Sequence, residues 1–204
     1  MRLLLCSDIH CDEAAALRLV ELSRDADVLV CAGDLAVMRQ GLQGTVDVLS
    51  RAAAPAVLVA GNGESAEELR EACEGWAAAH VLHGSGCEIG GVRFWGVGGA
   101  IPVTPFGAWS FDLDDVEARV LLEDCPGGGV LVTHSPPLGH VDRSGGEHLG
   151  SKVVLDTIRR AQPALALCGH IHGFWREESR EGETRIVNAG PAGVWADVQA
   201  PRPS

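Results

Sequence analysis

Basic residues are scarce: 16 Lys and Arg stand against 28 Asp and Glu in 204 residues, a formal charge of -12. The chain therefore lacks the positive face that nonspecific grip on a nucleic-acid polymer or an anionic membrane surface requires. A local positive site made by bound cations stays open, because a metal ion outweighs the overall field close to it. Long apolar runs are missing too. The start "MRLLLCSD" is too short for a signal-peptide core, and no later stretch reaches membrane length, so the expectation is a soluble, cytoplasmic protein with no membrane partner. The seven cysteines (6, 11, 31, 73, 87, 125, 168) are odd in number, scattered and free of C-x-x-C, which suits reduced core thiols rather than a disulfide framework. No G-x-S-x-G elbow occurs, so Ser-His-Asp hydrolysis fits poorly. No internal repeat is visible.

What is present is a series of short apolar runs. "RLLLC" (2–6), "DVLVC" (27–31), "PAVLVA" (55–60), "GVLVT" (129–133) and "PALALC" (163–168) are continuous rather than alternating, as in strands buried on both faces. Helices are predicted between them at 12–24, 35–52, 65–79, 114–123 and 151–161, the third opened by a Ser65/Glu68 capping box. A second strand set at 87–98 and 183–198 predicts two packed sheets with helices outside. The expectation is one domain over 1–199 and a disordered tail over 200–204. The irregular piece 135–150 is too long for a plain connection, which points to a functional or mobile segment.

Each buried run ends in a polar residue. The ends carry Asp8 and His10, then Asp34, Asn62, His134, and finally His170 and His172. In extended chain the i, i+2 pair Asp8 and His10 would share a side. Ligand sites form at the C-terminal edges of α/β sheets, so these ends can converge. Two Asp, one Asn and four His are oxygen and imidazole donors, a set for Mn²⁺, Fe or Zn²⁺ rather than a structural zinc. Seven donors exceed one ion's needs, and two ions sharing a carboxylate, about 3.5–4 Å apart, satisfy them. Seven polar groups buried together without a cation would be costly.

The ordered series D-x-H, GD, GN, H, GHxH resembles the calcineurin-like metallophosphoesterase superfamily from Asp8 to about Gly193. "THSPPLGHVDRSGGEHLGSK" with "GHIHG" and "NAGP" is similar to its small Icc-related branch, associated with hydrolysis of cyclic nucleotides and other phosphodiesters. The resemblance implies a four-layer αββα sandwich of two mixed sheets with a dinuclear metal site at the C-terminal strand ends. It implies that Asp8, His10 and His172 hold one ion, Asn62, His134 and His170 the other, and that Asp34 bridges them. Two divalent transition ions, Mn²⁺ first and Fe or Zn²⁺ next, are the expected cofactors. The implied reaction is in-line attack at phosphorus by a hydroxide held between the ions, with His134 and its neighbours stabilising the developing charge.

The chain departs from that pattern at Gly63, where many members carry a histidine that protonates the leaving group. A positioned general acid is worth about 10²–10⁴-fold. Its loss should hurt alkoxide leaving groups most and aryl groups least, and the freed volume could admit a diester's second substituent. His148 is the replacement donor expected, ahead of His80, His83 and His140. Lys152, at the start of a predicted helix, and Arg143 are candidate substrate grips. Glu64 is either a charge at a helix start or a support for the ligands. The aromatic stretch "PFGAWSF" (105–111) is core, cleft lining or a contact between copies. The expected function is a phosphodiesterase acting on small nucleotide-like or aryl diesters. A phosphomonoesterase is the alternative, a metal-free interaction module on the same fold is a reading from another class, and a homo-oligomer is compatible with the sequence.

Overall fold

The structure is a computed structural model and describes residues 1–199; the tail 200–204 lies outside the described residues. Strands β1 (Arg2–Cys6), β2 (Val28–Cys31), β3 (Ala56–Leu58) and β4 (Ala79–Val81) alternate with helices α1 (Glu13–Leu22), α2 (Leu42–Leu49) and α3 (Ala66–Ala72). There follow β5 (Ser85–Ile89), β6 (Val92–Val97), α4 (Asp115–Leu122), β7 (Val130–Thr133), β8 (Arg143–Ser144), β9 (Glu147–His148) and α5 (Lys152–Ala161). The chain closes with β10 (Leu165–Cys168), β11 (Glu177–Glu181), β12 (Thr184–Asn188) and β13 (Val194–Asp197).

One sheet has the order β13-β1-β2-β3-β4, the other β11-β12-β10-β7-β6-β5, and β8-β9 is a separate hairpin. Strands β1 to β4 run parallel, as do β6, β7, β10 and β12; the edges β13, β5 and β11 are antiparallel. Both sheets are therefore mixed. Side-chain alternation splits each central strand between two cores. Leu3, Leu5, Val28 and Val57 face Val92, Phe94, Val132 and Leu167 across the gap between the sheets. Leu4, Cys6 and Leu29 pack with Leu19, Val46 and Leu69 of α1 to α3. Leu131 and Ala166 pack with Ala118, Val154 and Ile158 of α4 and α5. Helix, sheet, sheet, helix is the resulting αββα order. Because every central strand is covered on both faces, continuous apolar runs are what this architecture demands.

Two predicted helices shorten. α2 starts at Leu42 because residues 37–40 form a turn with Met38 and Arg39 at φ 46° and 67°, whose Arg39 N–H donates to Gly63 O at 2.7 Å. α3 stops at Ala72, leaving Ala79–Val81 free to pair as β4. The capping box at Ser65 and Glu68 forms as its spacing predicts. β11 ("EESRE") carries no apolar pattern to announce it, since it is an edge strand paired only with β12. All seven cysteines are free and five are buried. Among the described residues no helix is long and apolar enough to cross a membrane.

Candidate metal centre

Five parallel strands, β1, β2 and β3 of one sheet and β7 and β10 of the other, lead into one spot. Four of the residues there, Asp8, His10, Asp34 and His170, have left-handed backbones with φ between 47° and 67°. This corrects the extended-chain account of Asp8 and His10: each turns off its strand instead of continuing it. Such conformations cost of order 1–3 kcal/mol each and persist only where neighbours over-determine them. Here Asp8 N–H donates to Gly33 O at 2.8 Å, His10 N–H to Asp34 O at 2.9 Å, and His170 N–H to Asp8 Oδ1 at 3.0 Å. Close approach of the β2 and β3 ends also needs Gly61, where a Cβ would lie 2.0 Å from Asp34 Oδ1.

The seven donor side chains come together in two groups joined at one atom. His10 Nε2 and His172 Nε2 lie 3.1 Å apart, with His172 Nε2 3.7 Å from Asp8 Oδ1. Asn62 Oδ1 lies 3.2 Å from His134 Nε2 and 3.1 Å from His170 Nδ1. Asp34 Oδ2 reaches both groups, 3.6 Å from His10 Nε2 and 3.4 Å from His134 Nε2. Asp8, His10 and His172, and again Asp8, Asp34 and His134, are each close enough to share one metal ion.

Protons are placed by the surroundings. His134 Nδ1 lies 2.7 Å from Ala32 O and His10 Nδ1 3.3 Å from Ala36 O. A carbonyl only accepts, so both rings carry their proton on Nδ1 and present a lone pair at Nε2. Those lone pairs meet further ring nitrogens at 3.1 and 3.2 Å. Facing lone pairs repel unless a proton or a cation lies between them, and the donor set fits divalent cations on that ground. Without a cation, burial works against the Asp34 carboxylate, but the attraction of His134 prevails and holds it well below its usual range. His134 moves the opposite way: burial opposes its charge, and Asp34 then Asp8 raise it. Burial, followed by the His134 charge, pushes His170 down to about 3. The attraction between Asp34 and His134 thus stands where a cation would act, and a bound cation has to compete with it.

Several supports stand behind the donors, and of these the sequence singles out Glu64 alone. Asp8 Oδ2 accepts from Ser7 Oγ at 2.5 Å and from Trp175 Nε1 at 3.1 Å. Asn188, fully buried, donates from Nδ2 to Gly169 O and Ile171 O, bracing the turn that carries His170 and His172. Asn62 Nδ2 donates to Ser110 Oγ. Glu64 is fully buried and accepts the N–H groups of Gly61, Leu35 and Ala36 at 2.7, 3.3 and 2.9 Å. It ties the two loops bearing Asp34 and Asn62, so its work is support rather than charge at a helix start. Burial, then the Asp34 charge, pushes its carboxyl up to about 7.

Other expected residues fall elsewhere. A cleft of about 650 Å³ opens over His10, Asp34, Asn62, His170 and His172, and Arg143 lines it. Gly63 does not: its N–H donates to Asp34 Oδ1, and a Cβ would point at Ala36 O, 2.9 Å away. The volume that glycine frees is therefore not cleft volume. Lys152 is exposed, pairs with Asp156 at 2.7 Å and is not among the residues lining the cleft, while Ser151 accepts the Val154 N–H at the first turn of α5. His148 is half-exposed, and its Nδ1 bonds buried Asp142 at 2.6 Å. His140 pairs with Glu181, and His83 accepts from Gly98 N–H.

Comparison with known proteins names this arrangement. A model of the calcineurin-like phosphoesterase superfamily domain matches residues 1–202. The chain belongs to that superfamily. Metallophosphoesterase domain-containing protein 1 of Homo sapiens is 35% identical over 116 residues, 53% of this chain and 33% of that protein. UPF0046 protein K07C11.7 of Caenorhabditis elegans is 39% identical over 70 residues, 34% of this chain and 24% of that protein. The matched segments thus span a third or less of these relatives. The metallophosphoesterase chain also shares its fold with the protein TT1561 of Thermus thermophilus, at TM-score 0.74 and 20% identity over 94% of this chain and 90% of that one. A dimetal phosphatase from Danio rerio has the same fold at TM-score 0.60 and 12% identity, over 94% of this chain and 88% of that one.

Proposed function

We propose that this metallophosphoesterase hydrolyses small phosphodiesters in a reaction that requires two divalent metal ions, Mn²⁺ first and Fe or Zn²⁺ next. One observation carries the proposal: two groups of three donors share a single carboxylate oxygen, Asp34 Oδ2, at 3.6 and 3.4 Å from His10 and His134. Asp8, His10 and His172 would hold one ion and Asn62, His134 and His170 the other, with Asp34 shared. When bound, such a pair supplies Lewis acidity toward the phosphoryl group and its attacking water. Arg143 would grip a phosphoryl oxygen from the cleft wall.

Leaving-group preference is a separate matter from the cleft. With glycine at position 63 the chain has no imidazole there to protonate a leaving group, so aryl or similarly stable leaving groups are favoured. His148, with Nδ1 fixed by Asp142 on the hairpin that carries Arg143, is the remaining candidate donor. A cleft of about 650 Å³ also has room for two substituents on phosphorus. Seven free thiols suit a reducing compartment and support a cytoplasmic location.

The test strips the protein with chelator, reloads it with Mn²⁺, counts metal, and compares bis-p-nitrophenyl phosphate with p-nitrophenyl phosphate. About two ions per chain and a higher kcat/KM on the diester are expected. Absence of bound metal sinks the enzyme reading, and a monoester preference replaces it with the phosphomonoesterase.

A further inference from the structure

Phe106 and Trp109 line the same cleft as the donor groups, and their rings stack 5.6 Å apart at an interplanar angle of 11°. Phe106 is 50% exposed, a large apolar area to leave in water on a loop. The loop is nevertheless built to hold it. Thr104 donates from N and Oγ1 to Asp112 Oδ2 at 2.9 Å, and Ser110 Oγ donates to Asp112 Oδ1 at 2.6 Å. Arg39 Nε donates to Trp109 O at 2.7 Å, while its Nη1 bonds Glu68 at 2.5 Å. Phe111 N–H donates to Asn62 O at 3.0 Å.

Position adds direction. Through Ser110 and Phe111 the aromatic loop adjoins Asn62, on the side of His134 and His170. The β8-β9 hairpin with Arg143 packs instead on the turn His172–Phe174, beside the other donor group. A phosphoester centred over Asp34 would have a cation on one flank and a braced, near-parallel pair of rings on the other.

We infer that Phe106 and Trp109 form a subsite for a planar aromatic substituent of the phosphoester, either an aryl ring or a nucleobase. The inference rests on the proposed phosphoesterase function and adds the class of group that this flank accepts. Stacking tolerates any π-face, so the subsite selects for planarity rather than for one base. Because the rings are already ordered, a bound ring does not have to freeze them.

Calorimetric titration of the Mn²⁺-loaded protein with methyl phosphate, phenyl phosphate and uridine 5′-monophosphate tests this independently of turnover. Wild type should bind phenyl phosphate and the nucleotide more tightly than methyl phosphate. Phe106→Ala should shrink the ratio of ring-bearing to ring-free affinity about tenfold, and Phe106→Trp should restore it. A shrunken ratio for phenyl phosphate alone identifies an aryl subsite, and for the nucleotide alone a base subsite. If wild type binds methyl phosphate and the ratio is unchanged in Phe106→Ala, the subsite is overturned while the phosphoesterase reading stands. If none of these esters binds the loaded protein and bis-p-nitrophenyl phosphate does not bind either, the phosphoesterase reading fails and takes the inference with it.

Discussion

Asn62 Nδ2 donates to Ser110 Oγ at 3.0 Å, and this bond decides which end of the amide faces His134 and His170. Nitrogen outward would put two N–H donors where a cation needs a lone pair. Ser110 can accept that proton because its own hydroxyl donates to Asp112 Oδ1 at 2.6 Å. Ser110→Ala should therefore free the amide to rotate and weaken metal binding about 10–100-fold, the usual cost of losing a partner behind a ligand. Manganese titration read by calorimetry checks it, with thermal unfolding as the control for folding. Unaltered metal affinity would show that the amide is held without Ser110.

Gly63 marks a second expected outcome. A methyl group there would meet Ala36 O at 2.9 Å and Asp34 Oδ1 at 3.2 Å, both on the loop that Glu64 braces. Gly63→Ala should destabilise the protein by about 1–3 kcal/mol through overpacking and displace the Asp34 carboxylate. Chemical denaturation and metal counting together read both effects. A variant as stable as wild type, with its metal content intact, contradicts the close approach.

Acid stability should report on His83. Burial, then the charge of Arg70, holds its imidazole below the usual histidine range. Its Nδ1 accepts the Gly98 N–H at 3.2 Å, and its ring lies 5.6 Å from that of Phe111, so protonation breaks a bond. With the folded value lowered, the unfolded chain binds the extra proton more readily. Stability is therefore lost as pH falls below about 6.5 toward the folded value, and is recovered as pH rises. His83→Gln should flatten this part of the curve. Melting temperatures between about pH 5 and pH 8 provide the comparison, and an equal slope in the variant would assign the acid sensitivity to other groups.

Much of the fold was legible because buried parallel strands have one simple requirement. A strand covered on both faces must be apolar throughout, and "RLLLC", "DVLVC", "GVLVT" and "PALALC" meet it within a residue or two of the observed bounds. Edge strands escape that requirement, which is why β11 left no trace. The turn at 37–40 looks helical in sequence because its left-handed residues, Met38 and Arg39, are ordinary helix formers. Tertiary bonds to Gly63 and the pull of the site override that propensity.

The polar residues at the strand ends identify themselves in sequence, because Asp, Asn and His after an apolar run have no place in a core unless something satisfies them. Order along the chain is enough to set them on successive strand ends and to suggest convergence. Only the tertiary structure decides that Asp34 Oδ2 stands between two donor groups, that left-handed turns rather than an extended chain aim Asp8 and His10, and that Gly63 looks away from the cleft. These are distances and directions between segments tens of residues apart, set by how two sheets pack. A linear pattern carries the chemistry of the donors, whereas their geometry comes from the packing.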